Sequence, residues 1–185
     1  MSSFNNIREV LSDVEDVNLY NYDETNIHDD PGVKKVVVPC RAKRVERVQN
    51  HSRTSMSLMV CESANGDLLP PMVVYKAQNL YENWKIGGPA ETVYASSSSG
   101  WFDMNLFEEW FFHILLPHIE RTRAPNAATI VVGDNPASHF SPNVIAACKE
   151  KQMYMTPFPA NATHLMQPLD VAVFGPMKRK WRGDS

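Results

Sequence analysis

The sequence predicts an α/β fold in which one mixed sheet is flanked by helices. Three observations carry that expectation. The front of the chain holds short runs rich in β-branched and apolar residues that stop at turn-forming residues. The middle holds one long stretch with apolar residues at helical spacing. The back alternates a fully apolar short run with a helix, a further strand and a last helix, which is the order of an α/β layer structure. The chain has 185 residues, the size of one ordinary domain. Hydrophobic residues make up 43% of it, enough to build a core without covalent staples.

Taken in order, Phe4, Ile7, Val10 and Leu11 lie at helical spacing, so residues 1–16 are expected to form a short leading helix before a core spanning 17–185. Residues 17–25 alternate as a strand does and end in polar residues, with Asp23 near the end. Asp29, Asp30, Pro31 and Gly32 make a turn signal. Residues 34–48 read as a β-branched, basic strand with an irregular exit at Pro39. Two apolar runs then flank Asn65-Gly66-Asp67, which reads as a strand–turn–strand hairpin. The run Ser96–Ser99 reads as an exposed loop before Gly100.

Asp103 is placed to cap a helix whose stripe is Leu106, Phe107, Trp110, Phe111, Ile114 and Leu115, and Pro117 is expected to bend or stop it. Residues 128–135 form a short apolar run, suited to a strand buried on both faces, that stops at Gly133-Asp134-Asn135. Ser141-Pro142 is a cap followed by proline at the first helical position. Residues 153–159 read as a strand. The last segment, from Leu169, reads as a helix broken near Gly175-Pro176 with a basic end. This order matches a ribonuclease-H-like core, although order alone does not separate that core from other α/β folds.

Charge and cysteine usage narrow the function classes. Eighteen Lys and Arg stand against twenty-one Asp and Glu, for a formal net charge of -3. A protein that grips DNA over a broad face is usually basic, so any affinity for phosphate must come from local patches. Cys40, Cys61 and Cys148 are odd in number and far apart, which argues against a disulfide framework or a zinc knuckle and for a reducing compartment. No apolar run approaches the roughly 20 residues that span a bilayer, and the first residues lack the zones of a signal peptide.

Three aspartates sit where the chain changes geometry: Asp23 at the end of the first strand, Asp134 after the buried strand, and Asp170 at the start of the last helix. Ligands of α/β sheets gather beyond the carboxyl ends of strands. Three carboxylates meeting there repel one another unless a cation neutralises them, and oxygen-only ligation suits Mg²⁺ or Mn²⁺. From position alone, an aspartate after a strand is most often a turn former or a helix cap.

The surrounding sequence bears on that choice. NYDETN at 21–26, GDNPASH at 133–139 and FPANATHLMQPLDVAVFGPMK at 158–178 resemble the three signature blocks of the DDE superfamily endonuclease domain of pogo/Tigger and Jerky-like proteins. SGWFD at 99–103 and LLPPMVVYK at 68–76 are similar to the same family between the blocks. The likeness runs from Asn18 to Trp181. It implies that Asp23, Asp134 and Asp170 are the catalytic carboxylates and hold two divalent ions, Mg²⁺ or Mn²⁺. One ion would activate water or a DNA 3′-hydroxyl, and the other would stabilise the leaving oxygen. The implied activity is DNA cleavage and strand transfer, with DNA as partner, a nuclear location, no membrane, and a homodimer as an option.

Neighbouring residues carry weaker expectations. Asn135 either orients a water or caps a turn, the turn being the commoner role. His139 and His164 either support a carboxylate or phosphate from the side or satisfy a local hydrogen bond, and Thr163 and Gln167 share that ambiguity. Glu24 would face away from Asp23 if the strand continued, and is expected to be structural. The tryptophans at 84, 101, 110 and 181 are expected to pack rather than to stack on bases. Lys178, Arg179, Lys180 and Arg182 are candidates for DNA phosphates, or form a solvated basic helix end. Arg41, Lys43, Arg44 and Arg47 share the ambiguity.

Transposases of this group carry N-terminal helix-turn-helix modules, and nothing upstream of Val17 is long enough for one. The chain is therefore expected to be a catalytic core with its last helix clipped. The alternative is a transposon-derived nuclear protein that binds DNA or protein without catalysis.

Overall fold

The computed structural model describes residues 18–28, 55–123, 127–133, 140–158 and 167–182. Strands β1 (Leu19–His28), β2 (Ser55–Ser63), β3 (Met72–Lys76), β4 (Val93–Ser97), β5 (Thr129–Gly133) and β6 (Met153–Pro157) form one sheet in the order β4-β3-β2-β1-β5-β6. β2 is antiparallel to both β1 and β3, whereas β4 is parallel to β3, and β5 and β6 extend the sheet parallel to β1. Helix α1 (104–122) follows β4, α2 (Pro142–Glu150) joins β5 to β6, and α3 (168–182) closes the chain.

Alternation along the strands divides the sheet into two faces. One face carries Tyr20 and Tyr22 of β1, Met59 and Cys61 of β2, Met72 and Val74 of β3, and Val131 of β5. Helix α1 lays Phe107, Trp110, Phe111 and Leu115 on that face, each 0% exposed. Val144 of α2 and Met153 of β6 join the same cluster. The opposite face carries Val60, over which Leu169 and Phe174 of α3 pack. Helices therefore cover both faces, and each face has its own apolar cluster. Burial of the Cys61 thiol in the larger cluster raises its pKa, and the half-buried Cys148 thiol is pushed up to about 11.

Local chemistry explains the helix starts. Asp103 adopts an extended backbone and its carboxylate accepts the N–H groups of Asn105 and Leu106, both at 3.0 Å. Ser141 accepts the Val144 N–H at 3.2 Å, with Pro142 in the first turn. Asp103→Ala is expected to cost about 1 kcal/mol and to lower the melting temperature by about 2–4 °C in a thermal melt followed by circular dichroism. Asp103→Asn, which keeps the acceptor, is expected to lose little.

Several boundaries differ from expectation. β1 does not end near Asp23. It pairs residue by residue with β2 as far as His28 opposite Ser55, so the ladder continues through polar residues. β4 was not foreseen. Its Ser96 and Ser97 are strand residues parallel to Tyr75 and Lys76, and the loop begins only at Ser98.

Neither expected proline break occurs. In α1 a widened π turn at Phe111–Leu115 precedes Pro117, and the Leu116 N–H reaches back five residues to the Phe111 carbonyl. In α3 a π turn at Asp170–Phe174 precedes Gly175-Pro176, and the Gly175 N–H reaches the Asp170 carbonyl. An α-helical proline clashes with the carbonyl four residues back. A π turn placed just before it shifts that carbonyl and lets the helix run on. The expected leading helix, the strand at 34–48 and the basic stretch at 41–47 lie outside the described residues.

Candidate active site

Asp23 lies in the interior of the sheet on β1 and is 9% exposed. Its register partner is Val60. Residues directly opposite in an antiparallel pair project to the same face, so Asp23 shares the face of Val60, Leu169 and Phe174. Asp170 follows Leu169 directly and opens the π turn of α3. The helix that carries the third aspartate therefore lies on the sheet face that carries the first. Asp170 is itself exposed. One Asp23 oxygen accepts the N–H of Glu24 at 2.9 Å, which fixes the carboxylate against the strand.

Glu24 turns to the other face, as an extended strand requires. There its carboxylate accepts the Phe102 N–H at 3.2 Å and anchors the segment that leads into α1. Sequence reasoning did not single out Glu62. It pairs with Asn21 and so projects to the Asp23 face, and burial raises its carboxyl pKa. Only the pairing register of β2 reveals this second acid.

β5 ends at Gly133, one peptide before Asp134. Asn21 of β1 stands opposite Val132 in the parallel ladder, and the Asn21 side-chain amide donates to the Val132 carbonyl at 3.1 Å. A Cβ added at Gly133 would collide with the Tyr22 ring. The end of β5 is thus pressed onto the residue before Asp23. Asp134, Asn135, His139, Thr163 and His164 lie outside the described residues. Among the described residues, no group of three or more His, Cys, Asp or Glu is gathered closely enough to hold a metal ion.

Gln167 is 2% exposed, and its side-chain amide donates to the Tyr22 carbonyl at 3.4 Å. Of the basic candidates, Lys178 rests with its ammonium 6.0 Å from the centre of the Phe174 ring, and Arg179 and Lys180 are exposed. Arg182 lies in the last turn of α3. Of the four tryptophans expected to be core or packing residues, Trp110 is 0% exposed, whereas Trp101 and Trp181 are 49% and 52% exposed. Trp101 sits in the loop after β4, and Trp181 in the basic last turn of α3. Trp84 stacks beside Tyr75 and Tyr81, with ring centres 4.8 and 4.9 Å away.

Comparison with known proteins agrees with this fold. The chain is similar over 96% of its length to the Mos1 transposase paired-end complex with left transposon end, at 15% identity and a TM-score of 0.59, and covers 46% of that chain. It is similar over the same share to the Mos1 mariner paired end complex with Mn, at 17% identity and a TM-score of 0.60, again covering 46%. These likenesses identify the fold as ribonuclease-H-like. A segment of 142 residues, 76% of the chain, is 28% identical to the MFS-type transporter clz9 of Cochliobolus lunatus, of which it covers 15%. Among the described residues no helix is long and apolar enough to cross a membrane. The chain spans less than half of each of these proteins. A family model described as DDE superfamily endonuclease matches residues 52–185, and on that match the chain belongs to the DDE superfamily endonuclease family.

Proposed function

We propose that this chain is a transposase-type nuclease core that cleaves DNA phosphodiesters and transfers strands with Mg²⁺ or Mn²⁺, held by Asp23, Asp134 and Asp170. The observation that carries the reading is the shared sheet face. Asp23 and the helix bearing Asp170 lie on the face of Val60, and β5, the strand that precedes Asp134 in the sequence, pairs with β1. The donor set fits the metal, because aspartate supplies hard oxygen ligands and no thiolate or imidazole is required. The likeness to a transposase complex with Mn supports the same choice.

When bound, the divalent ions would supply positive charge against the charge that develops on the attacking and leaving oxygens. The chain's own groups do the rest. The Glu24 N–H holds Asp23 in one orientation before any ligand arrives. Leu169, Phe174 and Val60 form an apolar cluster on the face that carries Asp23, which is itself largely buried. Lys178, Arg179 and Lys180 follow Asp170 on the same helix and offer cationic contacts to the DNA backbone near the cleaved bond. DNA is the partner this arrangement serves.

The test is nicking of supercoiled plasmid. The wild-type chain is expected to nick in Mn²⁺ and to stop when the ion is chelated. Asp134→Ala is expected to nick at least about 100-fold more slowly, the scale of losing a charge-stabilising group. Equal nicking by the variant would remove the case.

A further inference from the structure

Tyr22 touches all three segments that bear the aspartates. It precedes Asp23 in β1. Its ring occupies the space that a side chain at Gly133 would need, and Gly133 precedes Asp134. Its carbonyl accepts the amide of Gln167, three residues before Asp170. The ring cannot drift, because it is 4% exposed and packs against Trp110 and Phe107, with ring centres 5.3 and 5.7 Å away. Gln167 is fully enclosed, and its side-chain oxygen has no hydrogen-bond partner among the described residues. Among the described residues, the bond to Tyr22 is the polar contact of this amide, and it ties the start of α3 to β1. A buried amide held by so few bonds is costly unless its position is useful.

From this geometry we infer that Tyr22, Gly133 and Gln167 form a positioning hub that brings the three carboxylates to a common spacing. The inference rests on the nuclease reading above and deepens it. None of the three touches the metal or DNA through its own side chain. Tyr22 sets the depth of β5 through ring contact, and Gln167 ties the entry of α3 to β1. Glycine at 133 lets the buried ring and the end of β5 come together.

The test is titration of the chain with MnCl₂ by calorimetry, about 10 °C or more below the melting point of each variant. Gln167→Met keeps the volume of the side chain and removes the donor. Gly133→Ala adds the one methyl that meets the Tyr22 ring. Asp134→Ala, which removes a ligand, serves as the reference. Wild type is expected to bind Mn²⁺, and both hub variants to bind about 10–100-fold more weakly while still melting cooperatively.

A merely structural role would lower the melting temperature and leave the affinity below it unchanged. If wild type binds, Asp134→Ala does not, and either folded hub variant binds as wild type does, the hub is wrong and the nuclease reading stands. If wild type takes up no Mn²⁺, both fall. Should one hub variant fail to fold, the other decides.

Discussion

Asp23→Asn is expected to abolish Mn²⁺-dependent nicking, by about 100-fold or more, and to keep the metal-free chain folded. The two halves of that result come from one cause. Asp23 is nearly enclosed, on a face whose other described occupants include Val60, Leu169 and Phe174. Glu62 lies on the same face with its carboxyl already raised by burial. A divalent cation bound there would be held by the Asp23 charge. The amide removes the charge and keeps the shape and an acceptor for the Glu24 N–H. Saturating Mn²⁺ should raise the melting temperature of wild type, since a ligand at 100 times its dissociation constant adds about 2.7 kcal/mol. It should not raise that of Asp23→Asn. Paired melts with and without Mn²⁺ check this directly. A variant that gains as much from the ion as wild type would contradict it.

Trp110→Ala is expected to cost about 3–5 kcal/mol and to lower the melting temperature on the order of 10 °C. Trp110 is 0% exposed and lies against Tyr22 and Phe107 at the centre of the larger cluster. Its removal leaves a cavity beneath Tyr22 that the sheet cannot collapse to fill. Trp110→Phe should cost much less. It keeps a ring in place and deletes an indole N–H that has no hydrogen-bond partner among the described residues. Chemical denaturation of the three chains measures both differences. An alanine variant as stable as the phenylalanine variant would show that the packing at this position is not what holds α1 to the sheet.

Much of this fold is written in local chemistry. The caps at Asp103 and Ser141, the apolar stripe of α1 and the buried run of β5 were legible because each depends on residues within a few positions of one another. What was not legible depends on distant pairing. β1 continues past Asp23 because β2 accompanies it to Ser55, not because Asn26 or His28 favours a strand. β4 forms because β3 offers an edge. Pro117 and Pro176 read as helix breakers because a π turn leaves no mark in composition.

The candidate site shows the same division. Asp23, Asp134 and Asp170 stood out through the words around them. The sharing of a face by Asp23 and α3 follows from register and from the packing of Val60 under Leu169, which no single-residue pattern encodes. Tyr22 drew no notice because a tyrosine in a strand is usually core, as this one also is. The signal that pointed to it was the glycine at the end of β5, a residue a buried strand does not otherwise favour.

A crystal soaked in Mn²⁺ and recorded at the manganese absorption edge gives the most direct reading of the site. The account predicts two anomalous peaks about 3.5–4 Å apart, within ligand distance of Asp23, Asp134 and Asp170. Peaks absent at saturating Mn²⁺, or a single ion held by Asp170 alone with Asp23 turned away, would contradict it.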